Sequence, residues 1–153
     1  ADEAAVLAAL DAKKLATYVC DFPSAHINSH PHVIALPHLG ASTAEAEENC
    51  ALMVADQLRD YMLDGNIVNS VNFPNVVMPR ESGYRIAIAN ANVPNMVGQI
   101  STAMAKAGIN IIDLLNKSRG DYAYTLADVE GKIPDSVVQE IAKIDGVLSV
   151  RTL

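Results

Sequence analysis

Arg85-Ile-Ala-Ile-Ala89, followed by Val97, Ile100, Met104 and Ala107 at helical spacing and then Gly108, is the passage whose reading decides the fold. The first five residues predict a strand, and the spaced apolar stripe predicts a helix that Gly108 terminates. Two further strands, Ile109 to Asn116 and Tyr122 to Val129, flank the turn residues Ser118-Arg119-Gly120-Asp121, a hairpin signal. Pro134-Asp135 opens a second helix with Val138, Ile141, Ala142 and Ile144 apolar, Gly146 closes it, and Val147-Leu-Ser-Val150 is a last strand. The order is βαββαβ. It predicts a ferredoxin-like module, an antiparallel sheet with both helices on one face.

Working back toward the N-terminus, Asn66 to Ser82 interleaves Asn69, Asn72, Pro74, Asn75 and Pro79 with Val and Met, which predicts a linker with extended pieces and a domain boundary near Ser82 or Gly83. Before it lies a long helix. Ser42 with Glu45 has the spacing of a capping box, and Gly65 stands where a left-handed C-terminal cap belongs. Ala46, Cys50, Val54, Leu58, Tyr61 and Met62 line one face of that helix, opposite Glu45, Glu47, Glu48, Gln57 and Asp60, so it needs an apolar partner and Cys50 is expected in a core. Further upstream, Val6, Leu7 and Leu10 mark a first helix with Asp2 as its cap, and Leu15 to Cys20 and His32 to Leu36 read as two short strands. Asp21 to His32 between them is expected to be irregular. A helix beside two strands suggests the tail of a parallel α/β sheet.

The chain has 153 residues, half of them hydrophobic (50%) and 19% charged, which is the composition of folded, not disordered, protein. No apolar stretch approaches the roughly 18 residues that a membrane helix needs. Eleven basic against 18 acidic residues give a net charge of -7, and no Lys/Arg cluster offers the basic footprint of a nucleic-acid binder. Cys20 and Cys50 are too few and too far apart for a disulfide scaffold, so a reduced, cytoplasmic compartment is expected. The opening Ala1-Asp2-Glu3 has no Met and no signal-peptide pattern and begins inside a helix, so the chain is expected to be a piece of something longer.

Pro37-His38-Leu39-Gly40-Ala41-Ser42-Thr43, with Glu45 and Glu48-Asn49 after it, resembles the catalytic-histidine segment of the NAD-dependent D-2-hydroxyacid dehydrogenases. The likeness runs on through Gly65-Asn66 and Val71-Asn72-Phe73-Pro74 into a βαββαβ module that resembles an ACT regulatory domain. It implies three parts: residues 1–41 as the C-terminal remnant of a Rossmann-type NAD-binding domain, 42–82 as the return helix and linker, and 83–153 as the ACT domain. It further implies a dehydrogenase that oxidises 3-phosphoglycerate with NAD in L-serine synthesis. The family's glycine-rich dinucleotide fingerprint and its catalytic arginine are not found here, so the chain alone is expected to be inactive.

On this resemblance His38 is the general acid/base that exchanges a proton with the substrate hydroxyl, a task that suits imidazole near neutral pH. Asp21, His38, Leu39, Gly40 and Ala41 are the implied cofactor-binding residues, Asp21 matching an aspartate that contacts the nicotinamide carboxamide. The family's partner glutamate falls on Ala25 if Phe22 and Pro23 are aligned. Three readings stay open: Asp21 takes that role, a residue outside the chain does, or His38 works without a carboxylate. His26, His30 and His32 could suggest zinc, but they lack helical ligand spacing and a carboxylate, and no metal is expected.

Asn90 and Asn92 at the end of the module's first strand, and Asn110 at the start of its second, are amides able to donate and accept. The resemblance implies that they bind L-serine across the interface of two ACT domains, Asn90 standing where some members carry histidine. Asn95 stands where many ACT domains carry Gly, and Asn tolerates the left-handed backbone best after Gly. An exposed sheet edge predicts at least a dimer. The alternative reading is a stand-alone sensor of L-serine or another amino acid.

Overall fold

The structure is a computed structural model that describes residues 1–80 and 83–153; the boundary expected at Ser82 lies outside the described residues. The chain forms two compact units, Ala1–Leu52 and Met53–Leu153.

In the first unit, helix α1 (Glu3–Asp11) is capped as expected by Asp2, whose carboxylate accepts from the Ala5 N–H at 3.1 Å. Strands β1 (Tyr18–Cys20) and β2 (Val33–Ala35) pair in parallel, with Cys20 opposite Ala35. The stretch between them, expected to be irregular, contains a single helical turn α2 (Ala25–Asn28) that buries Ile27 completely.

Helix α3 (Ala44–Asp64) starts later than Ser42, because Thr43 Oγ1 accepts the Ala46 N–H at 3.1 Å. The Ser42–Glu45 capping box is therefore not formed. The helix buries no residue: Val54, Leu58 and Met62 are exposed, and so is Cys50, contrary to its expected place in a core. Gly65 ends the helix at φ +73°, the left-handed cap its position predicts.

In the second unit, strands β3 (Tyr84–Ala91), β4 (Ile111–Arg119), β5 (Tyr122–Val129) and β6 (Val147–Thr152) form an antiparallel sheet ordered β4-β5-β3-β6. Helices α4 (Met96–Lys106) and α5 (Asp135–Ala142) complete the βαββαβ order. This strand order is the ferredoxin-like plan. Alternation splits β3 between two cores. Ile86 and Ile88 meet Ile100 and Met104 of α4 and Ile141 of α5, whereas Ala87 and Ala89 meet Val76 and Met78 of the segment before the sheet. Both faces are thus covered, which is why β3 and β5 are buried along almost their whole length. The covering segment is pinned by an Ile67–Val76 bridge and by Asn66, whose amide donates to Asp60 and accepts from the Met78 N–H.

Arg85 and Asp128 pair beneath that segment, with both side chains fully buried. The guanidinium binds both carboxylate oxygens, at 2.6 and 2.9 Å, and donates to the carbonyls of Asp64, Met78 and Pro79 at 2.8–2.9 Å. The carboxylate holds Arg85 above its ordinary pKa, against the opposing effect of burial.

Candidate functional site

His38 and Asp21 are brought together in the first unit. Asp21 follows β1 directly and His38 stands three residues beyond β2, so the parallel pairing of Cys20 with Ala35 sets them at the same, C-terminal, edge of the sheet. That edge is where parallel sheets place ligands. Asp21 holds the histidine twice: one carboxylate oxygen accepts the His38 main-chain N–H and the other meets Nδ1, both at 2.9 Å. Phe22 packs edge-on against the imidazole, ring centroids 5.2 Å apart. His38 adopts φ +55°, a left-handed conformation that is uncommon for a residue with a side chain and that histidine tolerates better than most.

The consequence for chemistry is tautomeric. With Nδ1 directed at a carboxylate, the neutral ring carries its proton there and leaves the lone pair on Nε2. The side chain is 66% exposed, so Nε2 is accessible. Leu39, Gly40 and Ala41 follow as an exposed strip, and no atom lies within 4 Å of where a Cβ on Gly40 would stand.

His30 and His32 are engaged elsewhere. His30 Nε2 contacts Asp11 at 3.3 Å and its Nδ1 accepts the His32 main-chain N–H. Among the described residues no cluster of metal-ligating side chains assembles.

The three asparagines of the second unit part company. Asn92 is exposed and tied to the β4–β5 turn: its side chain donates to the Gly120 carbonyl at 2.9 Å and its main chain to Asp121. Asn110 is exposed at the opposite end of β5, donating to Glu130 at 2.8 Å. The strand between them, Tyr122–Val129, spans roughly 24 Å at about 3.4 Å per residue. One small ligand cannot touch both in one chain. Asn90 is only 1% exposed; its amide nitrogen donates to the Ala91 carbonyl, and its Oδ1 is buried without a hydrogen-bond partner among the described residues. Asn95 takes φ +67°, the left-handed geometry expected of it.

No family model matches the chain. It is 31% identical over 124 residues to D-3-phosphoglycerate dehydrogenase of Escherichia coli (strain K12), covering 80% of this chain and 30% of that protein. It is also 31% identical over 134 residues to D-3-phosphoglycerate dehydrogenase 1 of Saccharomyces cerevisiae, covering 82% of this chain and 28% of that protein. The crystal structure of the ACT domain from GTP pyrophosphokinase of Chlorobium tepidum is similar at 20% identity and a TM-score of 0.41, covering 46% of this chain and 95% of that one. The chain thus spans about 30% of the length of the curated relatives it matches. Over four-fifths of its own length it is similar to the C-terminal part of the D-3-phosphoglycerate dehydrogenases.

Proposed function

We propose that the chain is the catalytic-histidine and regulatory portion of an NAD-dependent 3-phosphoglycerate dehydrogenase. Residues 1–41 would then close its NAD-binding domain, 42–82 form the return helix and linker, and 83–153 form an ACT regulatory domain. The observation that carries the reading is the paired grip of Asp21 on His38 at the C-terminal edge of two parallel strands.

In this reading Nε2 of His38 takes the proton of the substrate hydroxyl. Asp21 is a positioning residue: it fixes ring and tautomer and offsets the positive charge that appears on the imidazole. The chemistry that NAD would supply when bound is a hydride acceptor for the carbon that carries the hydroxyl. Asp21, Leu39, Gly40 and Ala41 would face its nicotinamide. The likeness in sequence to the curated relatives supports the assignment, and Asp21 stands in for the glutamate that Ala25 does not supply.

The test is NADH formation from 3-phosphoglycerate by the full-length protein. His38→Asn should lower kcat by about 10²–10⁴-fold. Asp21→Asn should lower kcat more than it raises KM, because it leaves the wrong nitrogen protonated. Full activity in His38→Asn would overturn the reading, as would NADH formation by residues 1–153 alone.

L-Serine is the effector we assign to Asn90, Asn92 and Asn110, Asn90 lying buried in β3 at the Asn92 end of the sheet. Strand β4 is a sheet edge, and two copies joined antiparallel along β4 would bring Asn110 of one to the Arg119–Gly120 end of the other, beside its Asn92. The separation of the two amides within a single chain supports this arrangement, since it makes a second copy part of the site.

A further inference from the structure

Four of the chain's seven aromatic side chains (five Tyr, two Phe and no Trp in all) converge on one concavity of the second unit. Tyr61 comes from the end of α3, Phe73 from the covering segment, and Tyr122 and Tyr124 from β5. Phe73 stands 5.4 Å from Tyr122 and 6.1 Å from Tyr124, ring centroid to centroid, in tilted and edge-on arrangements. Tyr124 is fixed by its hydroxyl, which donates to the Gly65 carbonyl at 2.9 Å. The cavity holds about 530 Å³, and Ile67, Val68, Ala89 and Leu148 complete its apolar walls. That volume and lining are those of a small-molecule site.

Its polar groups are few and uncharged. Gln57, Asn72 and Ser149 stand in the lining, and neither Gln57 nor Ser149 makes a side-chain hydrogen bond to another described residue. Asn72 accepts from the Ser70 hydroxyl through its oxygen, which leaves its NH₂ for another partner. In a chain of net charge -7, no Asp, Glu, Lys, Arg or His lines the cavity. Two arginines contact lining residues without themselves lining the cavity: Arg119 donates to the Ser70 carbonyl, and Arg151 lies 4.5 Å over the Tyr61 ring. Neither His38 nor Asn90, Asn92 or Asn110 belongs to the lining.

We infer that this cavity binds an uncharged aromatic or heteroaromatic molecule bearing an amide or ring N–H, and so constitutes a ligand site separate from those of the dehydrogenase reading. A planar ring meets aromatic faces and edges on several sides, and the free amides and hydroxyl supply donors and acceptors for its polar edge. A carboxylate or phosphate would leave water to meet aromatic walls with no cation in the lining, which selects against a charged ligand.

The experiment is an NMR titration of the chain with benzamide and with indole, using benzoate as the charged analogue of the first. It needs neither serine nor NAD, so its failure is separate from that of the proposed function. Saturable shifts confined to Tyr61, Phe73, Tyr122, Leu148 and their neighbours are expected, with benzoate at least tenfold weaker than benzamide. Ser149→Trp, on an exposed edge position, should fill the cavity and abolish the shifts. Gln57→Trp should do the same from the opposite wall and guards against misfolding of the first variant. Non-saturating or scattered shifts, equal binding of benzoate, or unchanged binding in both folded variants would overturn the inference.

Discussion

Asp128→Ala removes one half of a fully buried ion pair and leaves the Arg85 guanidinium without its counter-charge. Breaking such a pair costs about 3–5 kcal/mol, mostly because the surviving charge stays desolvated. Arg85→Met should cost at least as much. It takes the guanidinium from the buried Asp128 carboxylate and strands the Asp64, Met78 and Pro79 carbonyls, at about 1 kcal/mol or more for each acceptor. The combined variant Arg85→Met with Asp128→Leu keeps the carbonyl losses but leaves no unpaired charge. It should therefore be more stable than Arg85→Met alone, and its cost should fall well below the sum of the single ones. Urea unfolding followed by tyrosine near-ultraviolet circular dichroism reads this directly, since Tyr61, Tyr84, Tyr122 and Tyr124 all lie in the second unit. A cost under about 1 kcal/mol for Asp128→Ala, in the range of a solvent-exposed pair, would refute the reasoning. So would strict additivity of the double variant.

Burial, and to a smaller extent Tyr61, push the Tyr124 phenol above its ordinary pKa against the opposite pull of Arg151 and Arg85. The folded chain therefore keeps a proton that the unfolded chain loses above about pH 10, so stability should fall as pH rises past that value. Tyr124→Phe should flatten that alkaline loss, at a cost of about 1 kcal/mol near neutrality for the bond to Gly65; pH-dependent urea midpoints check both. Gly65→Ala should destabilise by about 2–3 kcal/mol, since at φ +73° a Cβ would stand 2.7 Å from Leu153 Cδ1 and 3.0 Å from Leu126 Cδ2. Thermal melts of the two chains measure it. Asn92→Ala and Asn110→Ala should each abolish calorimetric serine binding, yet an equal, reassorted mixture should recover about a quarter of the wild-type sites, one in each mixed dimer. Recovery of no sites would place both amides on one chain's ligand or on none.

The ferredoxin-like half was legible because its signals are local: apolar runs of strand length, a Gly120–Asp121 turn, and glycines at the ends of helices. Arg85 was not, because a charged residue at the start of a strand ordinarily faces water, and its partner Asp128 is 43 residues away. The long helix shows the converse. Its apolar stripe is plain in the sequence, but amphipathicity states a need for cover and does not supply it, and Val54 and Leu58 stay exposed. For His38 the motif named the residue and not its geometry. The grip of Asp21 spans 17 residues and depends on parallel register, which the two short strands and the positions following them could have suggested. The aromatic cavity left no mark in the sequence, since its four rings come from three separate elements.

The segment that covers the sheet behaves as a splint, not a hinge. Arg85 fastens it at Met78 and Pro79 while gripping the last turn of α3 at Asp64, and Asn66 adds a second fastening. These fastenings tie the sheet to the end of α3 at Asp64 and to the covering segment at Asn66, Met78 and Pro79, so a tilt of the sheet has a direct route to the helix end. A sheet cut free of its splint would show water Ala87, Ala89, Tyr124 and Leu126 together with a guanidinium robbed of three acceptors. The smallest piece expected to stand alone in solution therefore begins at the end of α3, well ahead of β3.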